Sequence, residues 1–404
     1  MKFFKQYSGL KREIYVLAFG KVVTCMGEMV WPMMTLILSN QLDMDASSVA
    51  SLLLIMNIIQ VPCMLFAGYL TDRYNKRNCI IFCDLVTVIS YVTLSFLDIN
   101  MYTISLFFVA GLFAMMERPA YDALIADLSQ QEERQKAYSL CYLGANLGMI
   151  LSPVIGGFLF TKSLTLMFLI DGLSTLVSTI LIFMFIKDVT PIQSSSSNER
   201  VSQEPLWKIL FRHHFITYCL ICYVVIEVIY SQYQFLIPLN LEQLYGASGA
   251  MIYGSLCSLN AFLVVLGTPI LTMLFYKVKD IDKIMISSLL FSISLSMFIF
   301  VQGMIPLYFV SIFIFTCGEI FNALGKQPYL TKHIPINYRG RIFSLERILA
   351  TLMIAFSQKG IGFCIDHYTI KWVWTLVSFI TIIGIMMIYF LKCLDKRKNK
   401  NGVG

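Results

Sequence analysis

Apolar runs of about 20 residues recur along the whole chain, parted by short polar or charged stretches. A helix of that length rises about 30 Å, the thickness of a bilayer's hydrocarbon core. The runs predict twelve spans, at 13–40, 47–69, 79–97, 102–125, 136–160, 164–187, 214–238, 248–275, 283–302, 306–330, 341–365 and 371–392. One long polar stretch, "TPIQSSSSNERVSQEP" (Thr190 to Pro205), parts them six and six and reads as a flexible linker. After it, "LWKILFRHH" is short and amphipathic and suits a membrane surface. The organisation read from the pattern is an N-terminal bundle over 1–187, a cytoplasmic linker over 188–213, and a C-terminal bundle with a basic tail over 214–404.

Composition agrees. The chain is 57% hydrophobic and 14% charged, where a soluble domain carries about 25% charge. The net charge of +7 points to orientation, not to nucleic acid. With both termini inside, the cytoplasmic segments collect Lys2, Lys5, Lys11, Arg12, Arg73, Lys76, Arg77, Arg134, Lys136 and Lys187. Later inner segments add Lys277, Lys279, Lys283, Lys332, Arg339, Arg341, Arg347 and the tail "KCLDKRKNK". The outer loops hold only Lys162 and Lys371, beside Asp43, Asp45, Asp98, Glu242 and Asp366. One missed span would invert every later loop and destroy this bias. The basic start "MKFFKQYSGLKR" runs into an apolar segment too long for a signal-peptide core, so it reads as a retained first helix.

The eleven cysteines are scattered as small hydrophobes. The pair Cys219 and Cys222 has redox-like spacing but lies in an apolar helix with no strand before it. The four histidines form no ligand-spaced cluster, so no metal is expected. "RQKAYSL" (Arg134 to Leu140) enters the fifth span, and "RGRIFSL" (Arg339 to Leu345) enters the eleventh, six spans later. Two echoing six-helix halves suggest a transporter with its site between the halves near the midplane.

The most charged stretch of the first half is "GYLTDRYNKR". It resembles motif A of the major facilitator superfamily through Gly68, Asp72, Arg73, Lys76 and Arg77, with Asn75 where the family usually has Gly. "GANLGMILSPVIGG" in the fifth span resembles motif C, the antiporter motif of that superfamily's drug:proton exporters, through Gly144, Gly148, Pro153, Gly156 and Gly157. Ser152 stands where the family usually has Gly. "ALIADLSQQEERQKAYSL" resembles the junction of the fourth and fifth helices in bacterial drug exporters, and "GEI" at 318–320 adds weaker support. The second copy of motif A is eroded to "FYKVKDIDK".

The resemblance implies an all-α membrane protein, with twelve transmembrane helices in two pseudo-symmetric six-helix bundles. Small residues in motif C should let the fifth and eighth spans approach closely, and the proline should weaken the helix locally. In the loop, Gly68 and Asn75 are expected to let the chain turn sharply. Asp127 is placed to hold Arg73 or Lys76, and Arg134 sits close by at the entry to the fifth span. The family equivalent of Asp72 caps the start of the eleventh helix when the cytoplasmic side is closed, so Asp72 is the expected latch.

A charge mid-span costs about 2.5–3.5 kcal/mol on insertion scales, so each one needs a reason. Glu28 lies in the first span, Glu227 in the seventh and Glu319 in the tenth. A carboxyl in an apolar wall holds its proton more tightly than in water and can carry it through a transport cycle. The alternative is an ion pair with a neighbouring Lys or Arg. Arg118 in the fourth span could pair near Glu117, with Asp84, or with a cavity carboxylate. Asp171 reads as shallow in the sixth span. Lys21, Lys326 and Lys359 read as counter-ions or snorkelling side chains. Near the carboxylates stand Trp31, Tyr142, Asn146, Tyr230, Tyr233, Gln234 and Asn322. They suit a lipophilic cation through cation–π contact, or serve ordinary packing.

The reading is proton-coupled efflux of small amphipathic compounds or drugs by alternating access. A transporter of a specific metabolite or lipid is the alternative, and an integral-membrane enzyme a remote one, since no nucleophile–base pair stands out. There is no G-x-x-x-x-G-K-[ST] phosphate loop. Expected partners are the bilayer, a small-molecule substrate and the proton, with no cofactor and no nucleic acid. The chain is expected to be a monomer in a bacterial cytoplasmic membrane.

Overall fold

A computed structural model describes residues 7–130, 133–187, 214–301, 303–334 and 339–400. The Ser-rich linker and the amphipathic piece after it, 188–213, lie outside the described residues. The described chain is helical. In order the helices are α1 (Arg12–Gly27), α2 (Val30–Leu42), α3 (Ala46–Arg73), α4 (Lys76–Ser95), α5 (Ile104–Leu128), α6 (Arg134–Met149) and α7 (Ser152–Lys162). They continue as α8 (Leu164–Phe185), α9 (His214–Tyr245), α10 (Ser248–Leu274), α11 (Asp280–Met297), α12 (Ile305–His333), α13 (Arg339–His367) and α14 (Ile370–Lys400).

The first predicted span is α1 with α2, and the fifth is α6 with α7. Among the described residues, 11 spans are long and apolar enough to cross a membrane. The remaining one, α11, has only 18 residues and carries Asp280, Asp282 and Lys283 in its first turn, so it offers no uninterrupted apolar stretch of that length.

Both interrupted spans break for the same reason. A proline ring clashes with the carbonyl four residues earlier and offers that carbonyl no N–H. Pro32 stands four residues after Glu28, and α1 ends at Gly27. Pro153 stands four residues after Met149, where α6 ends. At the first break Glu28 has φ −68° and ψ 68°, and Met29 N–H donates to the Gly27 carbonyl at 2.6 Å. That is an inverse γ-turn.

The chain forms two compact units. The first comprises Met1–Met44, Ile55–Ser195 and Leu241–Val265, and the second Asp45–Leu54, Ser196–Asn240 and Leu266–Gly404. Each unit therefore contains a segment from the other half of the sequence. In the first unit α1 packs on α6 and α8, and α4 on α5 and α8. Its core joins Ile14 and Leu17 of α1 to Ile80 of α4, to Tyr121, Leu124 and Ile125 of α5, and to Ala137 of α6. In the second unit α11 packs on α12 and α14. There Trp374 is fully buried, stacks on Phe298 at 4.4 Å and donates to Asn240 Oδ1 at 2.6 Å. Exposed side chains such as Phe66, Ile89, Phe183, Phe379 and Phe390 suit a lipid-facing perimeter.

Candidate functional site

The break in the first span supplies the most unusual backbone. Pro32 leaves the Glu28 carbonyl without a helical donor, and the Ser152 hydroxyl donates to it at 3.2 Å. On the other side of the break, the Val30 N–H has no helical acceptor and donates to Asp171 Oδ2 at 3.1 Å. Asp171 from α8 thus caps the start of α2, where a carboxylate also meets the positive end of the helix. Asp171 is 3% exposed, packed among neighbouring side chains. Glu28, expected mid-helix, sits half-buried at the turn between two helices instead. Gly27 and Gly20 of α1 lie against Ser174 and Ser178 of α8, which brings Asp171 within reach of the break.

Two lysines pair with acids inside the spans. In the first unit Lys21 of α1 lies 4.0 Å from Glu117 of α5, with its ammonium 4.6 Å from the centre of the Tyr121 ring. Asp84 of α4 is buried and accepts from the Thr179 hydroxyl at 2.7 Å. Arg118 is exposed and forms no ion pair among the described residues, so Lys21 holds the position offered to Arg118. In the second unit Lys326 of α12 bridges Glu227 of α9 at 2.6 Å and Glu346 of α13 at 2.8 Å. Glu227 is therefore ion-paired, and Glu346 is an acid that the sequence analysis does not single out. Glu319 accepts from the Tyr230 hydroxyl at 3.0 Å.

The glycines of the fifth span pack more widely than expected. A Cβ at Gly157 would stand 2.5 Å from the Ala250 carbonyl oxygen of α10, and one at Gly254 would overlap the Pro153 carbonyl oxygen. That is the close approach to the eighth span predicted from sequence. Gly144, Gly148 and Gly156 face the first span instead. Their Cβ atoms would stand 2.6 Å from the Ala18 oxygen, 2.6 Å from the Val22 oxygen and 3.0 Å from Met29 Cβ.

In the charged loop Lys76 donates to Asp127, and Arg77 donates to the Phe183 carbonyl at 2.6 Å while its guanidinium covers the Phe183 ring. Arg73 donates to the Tyr69 hydroxyl at 2.5 Å, and Arg134 to the Ala126 carbonyl at 3.3 Å. Two expectations are corrected. Gly68 lies inside α3, away from the turn, with open space where a Cβ would be. Asn75 is not left-handed: it has φ −62° and ψ 120°, and its side chain caps α4 by accepting from the N–H of Arg77 and of Asn78. Asn serves here as a helix cap, a role it fills better than Gly. Asp72 is in α3, but its side chain and those of Arg339 and Arg341 lie outside the described residues.

The remaining candidates divide. Tyr230 and Tyr233 stack on Phe315 at 5.4 and 5.1 Å, and Tyr233 is buried in that packing. Trp31 packs over Gly111. Tyr142 and Gln234 are exposed, Asn146 donates to the Tyr142 carbonyl, and Asn322 is half-buried.

The match to known proteins spans most of the chain. The family model described as Major Facilitator Superfamily matches residues 17–358. The uncharacterized MFS-type transporter YqjV of Bacillus subtilis is 22% identical over 92% of this chain and 90% of its own. A Na(+), Li(+), K(+)/H(+) antiporter of Planococcus maritimus is 20% identical over 87% of this chain and 89% of its own. The quinolone resistance protein NorA of Staphylococcus aureus is 26% identical over 55% of this chain and 59% of its own. Among solved structures, a POT family transporter in complex with 5-aminolevulinic acid superposes with a TM-score of 0.76 at 14% identity, over 96% of this chain and 97% of that one. With 11 long apolar spans among the described residues and a family match over 17–358, the chain belongs to the Major Facilitator Superfamily.

Proposed function

We propose that this protein is a proton-coupled secondary transporter that exports small amphipathic compounds by alternating access. The observation that carries the antiport reading is the packing of the α6–α7 glycines and Pro153 onto α1, α2 and α10. Carboxylates at Glu28, Glu227 and Glu319 supply groups that can exchange a proton, and Tyr230 and Trp31 supply aromatic surface for a lipophilic cation. NorA, named for quinolone resistance, supports efflux. Residues of the charged loop, with Asp72 as latch, act as a cytoplasmic gate. The protein works as a monomer in a bacterial cytoplasmic membrane, with both termini inside.

A second reading, exchange of a monovalent metal cation for protons, is favoured by the Planococcus maritimus antiporter, whose similarity covers more of the chain than that of NorA. Everted vesicles separate the two. Under an imposed pH gradient, efflux reading predicts gradient-driven movement of a fluorescent organic cation, while Na+, Li+ or K+ leave the gradient intact. Cation exchange predicts the reverse. Flux that ignores the gradient refutes both. Intact proton-driven flux in both Glu28→Gln and Glu319→Gln would remove those two carboxylates from the coupling role.

A further inference from the structure

The basic side chains at the charged ends of the two halves have different neighbours. Those of the first half are engaged: Lys76 with Asp127, Arg77 with the Phe183 carbonyl, Arg73 with the Tyr69 hydroxyl and Arg134 with the Ala126 carbonyl. In the second half, residues 276–283 and 392–397 set Lys277, Lys279, Lys283, Lys392, Lys396 and Arg397 against Asp280, Asp282 and Asp395. Each of these acids already has a partner. Asp280 lies 3.5 Å from Lys283, Asp282 2.7 Å from Lys392, and Asp395 3.2 Å from His333 Nε2. Lys277, Lys279, Lys396 and Arg397 are left exposed, with no ion pair among the described residues.

The same contacts bring the two segments together. Helix α11 packs on α14, and the Asp282–Lys392 bridge ties the start of one to the end of the other. Lys279 stands immediately before α11. Lys396 lies four residues beyond Lys392 on α14, on the same face. Next to these cations the surface is apolar: Leu274 ends α10, Tyr276 follows it, and both are exposed, as are Tyr389 and Phe390 of α14. The Lys277 ammonium lies 5.5 Å from the centre of the Tyr276 ring. Depth follows from length. About 20 residues cross the hydrocarbon core. Counted from Ile370, that puts Tyr389 and Phe390 at its edge and Lys392 to Arg397 in the headgroup layer beyond.

We infer that this end of the second unit is a docking surface for anionic phospholipids, with Lys277, Lys279, Lys396 and Arg397 on the headgroup phosphates and the exposed apolar side chains along the acyl chains. The charge is complementary, because these cations have no acid of their own. Arg397 can meet a phosphate with two parallel N–H donors, and the lysines act as point charges. A zwitterionic lipid brings its own ammonium, which this surface repels, so the preference is for a headgroup of net negative charge. A soluble anion would use the cations alone, whereas a lipid uses both layers. Assigning the surface to the cytoplasmic leaflet rests on the proposed orientation with both termini inside; the binding itself does not.

Native mass spectrometry of the full-length protein in detergent counts the lipids it retains. With phosphatidylglycerol and phosphatidylcholine at equal concentration, the wild type should bind the anionic lipid at least tenfold more tightly. One basic residue beside an anionic lipid surface is worth roughly fivefold in association. Lys277→Gln with Lys279→Gln, and Lys396→Gln with Arg397→Gln, should therefore each cut the preference at least threefold, and all four together should abolish it. Lys277→Arg, Lys279→Arg and Lys396→Arg should keep it. All four side chains are exposed, so the melting temperature should stay at the wild-type value. Lys162→Gln with Lys371→Gln, at the opposite ends of their spans, is the control and should change nothing. No preference in the wild type, a preference that survives the fourfold variant, or an equal loss in the control overturns the inference. Displacement of the lipid by inorganic phosphate at the same concentration also overturns it, since that marks a site for a soluble anion. Trypsin tests the leaflet separately. It should clip the end of α14 in everted vesicles and spare it in right-side-out ones; the reverse refutes the orientation and leaves lipid binding standing.

Discussion

Asp366, near the end of α13, accepts from the backbone N–H of Ala46 at 3.0 Å with one oxygen and from that of Ser47 at 2.9 Å with the other. These are the first N–H groups of α3, which have no helical acceptor of their own. One turn earlier on α13, a Cβ at Gly362 would stand 2.6 Å from the Ala46 carbonyl oxygen. Charge and absence of bulk therefore act on the same spot. Asp366→Asn keeps one acceptor oxygen and removes the charge, at a cost of about 0.3–1 kcal/mol for the helix-dipole part. Amide exchange at Ala46 and Ser47 should quicken several-fold. Gly362→Leu should do more, because backbone has to move. Unchanged exchange in both variants would show that α3 begins as firmly without α13.

Acid should loosen the same helix start through Asp45. Its carboxyl is held below the ordinary carboxylate range, chiefly because the Ser48 side chain donates to it, and it lies outside the spans. A group whose folded value is depressed stabilises when ionised, and that contribution disappears as pH falls through the folded value. Protection of the first turn of α3 should therefore hold at neutral pH and above. It should decline below the ordinary carboxylate range. Asp45→Asn should flatten that pH dependence without weakening protection at neutral pH by more than Asp45→Ala does. Amide exchange at Val49 across pH checks it, since Val49 N–H donates to the Asp45 carbonyl at 3.0 Å.

Asp171 is expected to act as a cap, which separates it from the acids proposed to exchange protons. Asn accepts a backbone hydrogen bond as Asp does, so Asp171→Asn should fold and transport nearly normally. Asp171→Ala leaves the Val30 N–H unsatisfied in an apolar interior, at about 1–3 kcal/mol. Its melting temperature in detergent should drop by several degrees. Loss of transport in a stable Asp171→Asn would instead assign the residue a proton.

The break that Asp171 caps was legible in the sequence, because "EMVWP" places Pro32 four residues after Glu28. Length and hydropathy alone read straight through it, since both half-helices are apolar. Pro153 carries the same signal in the fifth span. The spans themselves follow from local pattern, and the Lys76–Asp127 pairing from the motif resemblance, which left Arg73 open as the alternative partner. The role of Glu346 does not: five residues into its span, beside Arg347, nothing in the local sequence sets it apart. Only the meeting of α9, α12 and α13 brings it to Lys326. Asn75 failed for a different reason. The motif reading gave it the conformational role of Gly, whereas an Asn ahead of a helix start has a second use as a cap. Pro32→Ala tests the break itself. Restoring the N–H should straighten the first span and raise the melting temperature, since proline inside a helix costs about 3 kcal/mol. Transport should fall at least tenfold, because Glu28 would rotate onto the regular helix surface.

Lys76 and Asp127 join the start of α4 to the end of α5, with side chains 18% and 17% exposed. At that depth neither charge is fully hydrated, so breaking the pair should cost about 1.5–3 kcal/mol, the range for a hydrogen bond to a charged group. Asp127→Asn and Lys76→Met should each lower the melting temperature and slow flux. The exchange Lys76→Asp with Asp127→Lys restores opposite charge at the same place. It should recover stability over either Lys76→Asp or Asp127→Lys alone. Recovery of flux tells more. The exchange preserves both the tie between α4 and α5 and the net charge of the loop region, which lies inside in the proposed orientation. Flux restored along with stability means that the pair serves the gate by fixing α4 and α5. Stability restored with flux still absent means that one of the two side chains has a further contact in the transport cycle, and single substitutions to Gln and Asn then identify which.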